Sequence, residues 1–250
     1  MTHPAHPSAP AETPALDLRE KGGAKEGVPQ FSDRRLFMQL TAFSGCRDTR
    51  ALLGALGGSG VDCVLYEEVS DPTGVAVLAM AEDPALLMTK LRRDLVTGPF
   101  AGLTVKPEFS MLGRTYALGY EPQLEDWLLR RPRRVVCDPA QPWAIWYPLR
   151  RTGAFAQLPR AEQQQILKEH GTIGRRFGDA GVAQDIRLAC HGLDKHDNDF
   201  VIGLIGKELH PLSALVEAMR ATTQTSQYLS NLGPFFVGRA AWRTPPKEAA

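Results

Sequence analysis

The sequence has few cysteines and almost no excess charge, and each shortage excludes a class of protein. Four cysteines lie far apart and form no CxxC pair: Cys46, Cys63, Cys137 and Cys190. This spacing argues against a disulfide-rich secreted domain, and we expect buried, reduced thiols of a cytoplasmic protein. Lysine and arginine number 29 against 28 aspartates and glutamates, which gives a formal net charge of +1. No overall charge therefore attracts nucleic acid or an anionic membrane.

Long apolar runs and the familiar catalytic motifs are missing as well. No run approaches the roughly 20 residues that span a bilayer. The N-terminal residues have no apolar segment of the signal-peptide kind. The motifs GxGxxG, HExxH and GxSxG and the P-loop are absent. We therefore expect a globular protein whose partners are neither nucleic acid nor membrane.

Changes in composition divide the 250 residues into five segments. Residues 1–33 are rich in proline, alanine, glycine and charge without periodicity, which predicts a disordered tail. Two folded halves are predicted at 34–120 and 142–242, joined by an arginine- and proline-rich connector at 121–141. A short tail follows at 243–250.

Both folded halves have the same predicted order of elements. Strands are predicted at 36–43, 61–69, 75–80 and 103–111, then at 143–149, 186–190, 200–205 and 234–238. Helices are predicted at 48–56, 83–95, 159–170 and 212–228. The order β-α-β-β-α-β is ferredoxin-like. We expect an α+β fold in which two ferredoxin-like repeats pack as a dimeric α+β barrel within one chain, with room for a ligand between sheet and helices.

Two groups of residues could carry chemistry. The helix at 159–170 is predicted to end at Glu169-His170-Gly171, where glycine stops it. A histidine there either stabilises the negative helix end or serves a functional role. The run Arg130-Arg131-Pro132-Arg133-Arg134 is either a solvated segment or a binder of carboxylates and phosphates.

A possible metal cluster surrounds the turn Gly192-Leu193-Asp194. His191 and His196 flank this turn, with Cys190 nearby. The spacing fits no standard zinc pattern, so we interpret the segment as a polar hairpin.

Several segments in order resemble one known family. The stretch from Tyr147-Pro148-Leu149 through Glu169-His170-Gly171-x-x-Gly174-Arg175 is similar to the chlorite dismutase superfamily. Further similar segments are Gly192-Leu193-Asp194 with Asp199-Phe200, Met219-Arg220, and Gly233-Pro234-Phe235-Phe236-Val237-Gly238. The superfamily contains chlorite dismutases and coproheme decarboxylases, which are heme proteins with a dimeric α+β barrel and are typically pentamers. The resemblance covers roughly residues 34–242.

The resemblance assigns roles residue by residue. It places His170 at the proximal heme ligand, a neutral imidazole bound to iron. Tyr147 matches the decarboxylase tyrosine that relays oxidising equivalents to the propionates, although a core aromatic on a strand stays an alternative. The positions that match the propionate end of the porphyrin are Arg133, Arg151, Arg220 and Thr225.

The residue above the iron stays open. It is an arginine in chlorite dismutases and commonly a glutamine in decarboxylases. Counting back from Gly192 without gaps leads to Asp185, and Arg187 shares its face of the strand. Gln184 faces the other way unless a bulge intervenes. An acid often follows the arginine of Met219-Arg220 in the family, and its absence here predicts a less basic proximal histidine.

The implied function is that of a heme-dependent oxidoreductase with heme b or coproheme as cofactor. We favour a coproheme decarboxylase driven by peroxide, with Tyr147 as the relay. The alternatives are a chlorite dismutase that uses the oxyanion chlorite and Arg187, a heme carrier or sensor, and a structural oligomer with an empty cavity. We expect a cytoplasmic homopentamer.

Overall fold

The computed structural model describes residues 15–245. Its strands are β1 (Glu20–Lys25), β2 (Val28–Ser32), β3 (Phe37–Ser44), β4 (Asp62–Glu68), β5 (Val75–Ala81), β6 (Thr104–Thr115), β7 (Trp143–Arg151), β8 (Gln184–Ala189), β9 (Phe200–Gly206), β10 (Leu229–Leu232) and β11 (Phe236–Arg243). Its α-helices are α1 (Arg50–Gly58), α2 (Arg92–Val96), α3 (Arg131–Cys137), α4 (Gly153–Gln157), α5 (Arg160–Asp179), α6 (Leu209–Arg220) and α7 (Thr223–Tyr228). Turns of π-helix precede α2 at Leu87–Leu91 and α3 at Asp126–Arg130, and a 3-10 turn spans Gly98–Phe100.

One large antiparallel sheet organises the chain. Its nine strands run in the order β10-β7-β11-β4-β5-β3-β6-β8-β9, and β7 also pairs with β9. Eight strands therefore close into a ring, with β10 attached outside it at β7. The α+β class predicted above is confirmed. Strands β3 to β6 lie in the spatial order fourth, first, third, second, and the matching strands β7, β8, β9 and β11 repeat that order.

The inside of the ring is the main apolar core. Trp146, Tyr66 and Phe236 are its largest side chains, and each is at least 98% buried. Trp146 lies opposite Gly203 in the pairing of β7 with β9. A Cβ atom at Gly203 would come within 2.5 Å of the indole ring. The glycine therefore makes room for the tryptophan at the centre of the barrel.

Strand β7 faces the core on one side and the helices on the other. Ala144 and Trp146 belong to the core inside the ring. Ile145, Tyr147 and Leu149 belong to a second cluster formed with the helices outside the ring. This alternation follows from the two-residue period of a strand. It directs Tyr147 towards the layer that holds α5 and α6.

The predicted disordered tail is wrong for residues 20–32, which form the hairpin of β1 and β2. This hairpin is tied to the connector: the Gly23 N–H donates to the Glu121 carbonyl at 2.9 Å. The Gln30 side-chain amide donates to the same carbonyl at 3.3 Å and to that of Pro122 at 3.1 Å. Hydrogen bonds to the connector hold this polar segment in place, and few apolar side chains are buried there. Its composition therefore shows no apolar periodicity from which strands could be predicted. The predictions for 1–14 and 246–250 lie outside the described residues.

The predicted end of α5 at His170 and Gly171 is also wrong. The helix continues to Asp179. Its terminating glycine is Gly181, which adopts a left-handed φ of 69° and donates its N–H to the Gly178 carbonyl at 2.9 Å. His170 therefore lies in the middle of a helix.

The cysteines, the helices and the connector bear on three further expectations from the sequence. The four cysteines are free thiols, and all but Cys137 are buried. Between residues 15 and 245, no helix is long and apolar enough to cross a membrane. The predicted connector is largely helical, since it contains the π-helical turn Asp126–Arg130 and α3.

Candidate functional site

A cavity of about 450 Å³ lies between the outer face of β7, β8 and β9 and the helices α5 and α6. This volume is in the range of small-molecule and cofactor sites. Apolar side chains make up much of the wall: Leu149, Ile202, Leu204, Leu215, Val216, Met219, Leu229 and Leu232. The polar and aromatic lining residues are Tyr120, Trp127, Arg131, Tyr147, His170, Arg175, Asp179, Gln184, Asp185, Arg187, Arg220 and Thr225.

His170 reaches the cavity from the middle of α5. Its Nδ1 atom lies 3.2 Å from the hydroxyl oxygen of Thr222, in the turn between α6 and α7. That hydroxyl is 2.8 Å from the Met219 carbonyl, to which it donates its single proton. The Thr222 oxygen therefore accepts the Nδ1–H of His170, and the lone pair of the imidazole is left on Nε2.

The surroundings of His170 favour the neutral imidazole. Burial lowers its pKa to about 4, and the positive charges of Arg151 and Arg187 act in the same direction. At neutral pH the ring is uncharged, which is the state that binds a metal. Thr222 is 1% exposed, so the acceptor that fixes the ring orientation is itself fixed by packing.

Glycines keep the face of α5 beside His170 flat. Gly171, Gly174 and Gly178 all line the cavity. A Cβ atom at Gly171 would meet no heavy atom within 4 Å, and one at Gly174 would meet only the end of Met219, at 3.3 Å. Side chains are therefore absent where a flat ligand could lie against the helix.

Tyr147 lines the cavity from β7. Its ring stacks on Phe235 with the centroids 4.6 Å apart and an interplanar angle of 28°. Burial raises the pKa of its hydroxyl, and the charge of Asp185 raises it further. The phenol is therefore protonated at neutral pH, and it faces the same cavity as His170.

Gln184, Asp185 and Arg187 were the candidates for the residue above the iron. The pairing register of β8 shows which of them share a face of the strand. Asp185 pairs with Leu204 and Arg187 with Ile202, in a continuous register without a bulge. Both side chains lie on one face, as the count along the strand predicts. Gln184 also lines the cavity although no bulge intervenes, so the expectation that it faces away from Asp185 and Arg187 is wrong; it is the first residue of β8, and its side-chain oxygen is 3.4 Å from Nη2 of Arg131.

Arg187 does not stand alone. Its Nε lies 3.0 Å from Oδ2 of Asp185. Burial acts against the charge of Arg187, but Asp185 together with Tyr116, Tyr120 and Glu121 outweighs it, so the pKa is raised. Arg131 approaches the other oxygen of Asp185, at 3.5 Å. Burial lowers the pKa of Arg131, and Asp185 offsets part of that effect.

Arg133 does not line the cavity, so the structure does not bring it together with the other residues predicted to bind the porphyrin. Its Nε lies 3.2 Å from Oδ2 of Asp62, and its Nη1 lies 3.7 Å from Oε1 of Glu82. These partners lie in and next to the strands of the first half. The arginine that does face the cavity is Arg131, two residues earlier and on a different side of the helix.

The other predicted porphyrin-binding residues divide into two groups. Arg220 and Thr225 line the cavity. Arg151 is not among the lining residues, and its guanidinium lies 4.8 Å from the centroid of Phe155 and 4.7 Å from that of Phe200. Its Nε is buried without a hydrogen-bond partner in the described chain.

The turn after β8 is a polar hairpin, as interpreted from the sequence. Oδ2 of Asp194 accepts the backbone and side-chain N–H groups of Asn198, at 3.0 and 2.7 Å. His191 lies 3.3 Å from Asp199. Within the part of the chain that the structure describes, no group of three potential ligands is arranged for a metal ion.

Thr222 and Trp127 were not among the predicted site residues, and Arg131 was named only as part of the basic run. Thr222 lies in the run that follows Met219-Arg220, but only the meeting of α5 with the α6–α7 turn brings it to His170. Trp127 and Arg131 belong to the predicted connector, where the helical phase was unknown. The basic run was the available signal for Arg131.

Comparison with known proteins agrees with this geometry. A family model described as chlorite dismutase matches residues 75–241, which is more than half of the chain. The structure of chlorite dismutase from Candidatus Nitrospira defluvii in complex with imidazole aligns with a TM-score of 0.65 and 15% identity, covering 84% of this chain and 93% of that chain. A heme-binding protein from Thermus thermophilus aligns with a TM-score of 0.64 and 19% identity, covering 83% of this chain and 91% of that chain. At these identities the structural likeness establishes the fold.

Proposed function

This chain belongs to the chlorite dismutase family, and from that premise we propose that it binds an iron porphyrin through Nε2 of His170 and uses peroxide to decarboxylate the propionates of that porphyrin. The observation that carries the proposal is the pairing of a cavity-facing imidazole, held through Nδ1 by Thr222, with a tyrosine in the same cavity. The solved relative from Thermus thermophilus is described as heme-binding.

The cavity suits a flat, largely apolar ligand. Glycines line α5 next to His170, and aliphatic side chains from β9, α6 and β10 form much of the remaining wall. Imidazole is a usual axial ligand of heme iron, and a hydrogen bond at its other nitrogen orients it. When bound, the iron would supply the redox chemistry by accepting oxidising equivalents from peroxide.

The arginines in and near the cavity favour a porphyrin that carries several carboxylates. Arg175 and Arg220 line the cavity and form no ion pair with any residue between 15 and 245. A guanidinium binds a carboxylate with two parallel hydrogen bonds. Arg151 adds a half-buried positive charge close enough to lower the pKa of His170. We propose that Arg175, Arg220 and Thr225 bind propionates, that the charge of Arg151 adds to the attraction, and that the site therefore favours the propionate-rich coproheme over heme b.

Tyr147 is the proposed relay between iron and propionate. Its hydroxyl is protonated, so it can lose an electron and a proton together and then take a hydrogen atom from the propionate side chain. Per propionate, one peroxide and one proton are consumed, and one vinyl group, one carbon dioxide and two waters form. Stacking on Phe235 keeps the phenol ring in one orientation during this relay.

The decomposition of chlorite is the second candidate function. The observation that favours it is the cationic side chain of Arg187 in the cavity. The ion pair with Asp185 offsets that charge and weakens this alternative. A heme carrier or sensor would need His170 but neither Tyr147 nor Arg187.

The equal strand orders of the two halves support the interpretation of two ferredoxin-like repeats. We propose further that the chain assembles into a ring-shaped homopentamer, as the resemblance implies. Sedimentation at micromolar concentration tests this assembly, and a monomer would contradict it.

A product analysis tests the proposed reaction. The protein is loaded with ferric coproheme, titrated with hydrogen peroxide, and the porphyrins are identified by mass spectrometry. We expect products that have lost carbon dioxide and two hydrogen atoms from one and then from two propionates. In parallel, chlorite is added and oxygen is recorded. Sustained oxygen release without decarboxylated porphyrin would favour the chlorite reaction instead.

A further inference from the structure

The arginines that line the cavity are of two kinds. Arg131 and Arg187 are both ion-paired with Asp185. Arg175 and Arg220 make no ion pair within the described residues 15–245. The cavity therefore has one wall, on β8 and α3, where positive charge is already engaged by a carboxylate.

The two oxygens of Asp185 face different guanidinium groups. Oδ2 lies 3.0 Å from Nε of Arg187, and Oδ1 lies 3.5 Å from Nη2 of Arg131. Arg131 also donates from Nη1 to the backbone carbonyl of Asp185 at 2.8 Å. One carboxylate thus orients two cations from separate elements of the fold.

Trp127 completes this arrangement, which we call the Asp185 clamp and define by Asp185, Arg131, Arg187 and Trp127. The guanidinium carbons lie 4.8 Å (Arg131) and 5.4 Å (Arg187) from the centroid of the indole ring. The indole N–H donates to the Tyr116 carbonyl at 3.0 Å, so the ring itself is fixed. Cation–π contacts of this kind restrict where a guanidinium can turn.

We propose that Asp185 determines which oxidant the cavity admits, by holding Arg187 and Arg131 in the clamp and offsetting their charge. An unpaired guanidinium is a strong binding site for a small anion. With Asp185 in contact, an anion at Arg187 meets a like charge at close range, and two donors of Arg131 are already engaged. The wall then favours a neutral oxidant such as hydrogen peroxide over an oxyanion. This inference rests on the proposed heme binding.

Fluoride binding to the ferric holoprotein tests the clamp without any turnover. Fluoride is a small anion that binds ferric heme and accepts hydrogen bonds, and its binding changes the absorption spectrum. We expect Asp185→Asn to increase fluoride affinity by ~tenfold, because Arg187 loses its partner. The double variant Asp185→Asn/Arg187→Gln should return to within about threefold of the wild type, since the released cation is removed.

Asp179→Asn is the matched control. Asp179 also lines the cavity, from α5, but it forms no ion pair with described residues. If loss of one negative charge alone mattered, both single variants would bind fluoride equally well, and the clamp would be refuted. Unchanged fluoride affinity in Asp185→Asn would refute it too. Failure of the wild type to bind hemin would instead overturn the proposed function, and this inference with it.

Discussion

His170 and Thr222 are 52 residues apart in sequence, and a 3.2 Å contact between Nδ1 and the hydroxyl oxygen joins them across two helices. The acceptor is a neutral hydroxyl whose proton is used by the Met219 carbonyl. A carboxylate at this position would draw the Nδ1 proton and make the imidazole more basic. Thr222 orients the ring without that effect.

Loss of this acceptor should weaken heme binding. We expect Thr222→Val to lower hemin affinity by about tenfold, since outer hydrogen bonds to a ligating histidine have effects of this order. Hemin titration followed at the Soret band measures it. Thr172→Val is the control, because Thr172 is exposed on α5, donates to the Lys168 carbonyl and does not line the cavity. Equal affinities for Thr222→Val and the wild type would contradict the orienting role.

The flat face of α5 should be sensitive to added volume. Gly171→Leu should leave folding intact or stabilise it by about 0.5–1 kcal/mol, because no atom opposes a Cβ there and leucine favours a helix. Its side chain would nevertheless occupy space beside His170 and reduce hemin affinity at least tenfold. Thr172→Leu, on an exposed part of the same helix, should leave hemin affinity unchanged. Normal binding by Gly171→Leu would mean that the ligand lies elsewhere in the cavity.

The buried imidazole should make the heme-free protein sensitive to acid. Burial depresses the pKa of His170 from 6.5 to about 4 in the folded state. The contribution of the neutral imidazole to the free energy of unfolding is therefore complete above pH 6.5. It is lost as the pH falls towards 4, because the unfolded chain binds the proton at a higher pH than the folded one. Between pH 7 and 5 we expect a loss of about 2 kcal/mol in the free energy of unfolding. Urea unfolding measures it, and His170→Ala should reduce that loss. An identical loss in the variant would assign the acid sensitivity to other groups.

Tyr147 should be needed for chemistry and not for binding. Tyr147→Phe keeps the ring that stacks on Phe235 and removes only the hydroxyl. We expect coproheme affinity to stay within about tenfold, or roughly 1.4 kcal/mol, while the decarboxylated products disappear. Mass spectrometry of the porphyrins after peroxide addition gives the result. Unchanged product formation by Tyr147→Phe would mean that Tyr147 contributes only to packing and has no part in the reaction.

The sequence was sufficient to predict those features that follow from a local pattern of residues. The two-residue period puts Trp146 and Tyr147 on opposite faces of β7, and the count back along β8 puts Asp185 and Arg187 on one face. The order of strands and helices in each half follows from the same periodicities.

The sequence was insufficient to predict positions that depend on the rotational phase of a helix or on contacts between distant segments. Positions two apart on a helix point about 200° apart, so Arg131 faces the cavity whereas Arg133 pairs with Asp62. The π-helical turn at Asp126–Arg130 shifts that phase, and nothing in the basic run reveals the shift. The hairpin of β1 and β2 depends on backbone bonds to the connector, which composition does not encode.

The most direct test of the account is the absorption spectrum of hemin-loaded His170→Ala beside the wild type and His191→Ala. If Nε2 of His170 is the axial ligand, His170→Ala keeps its fold by circular dichroism, shows a shifted and weakened Soret band, and regains a ligated spectrum when imidazole is added. His191→Ala, which changes a histidine in the polar hairpin, should match the wild type. An unchanged Soret band and hemin affinity in His170→Ala would contradict the central claim.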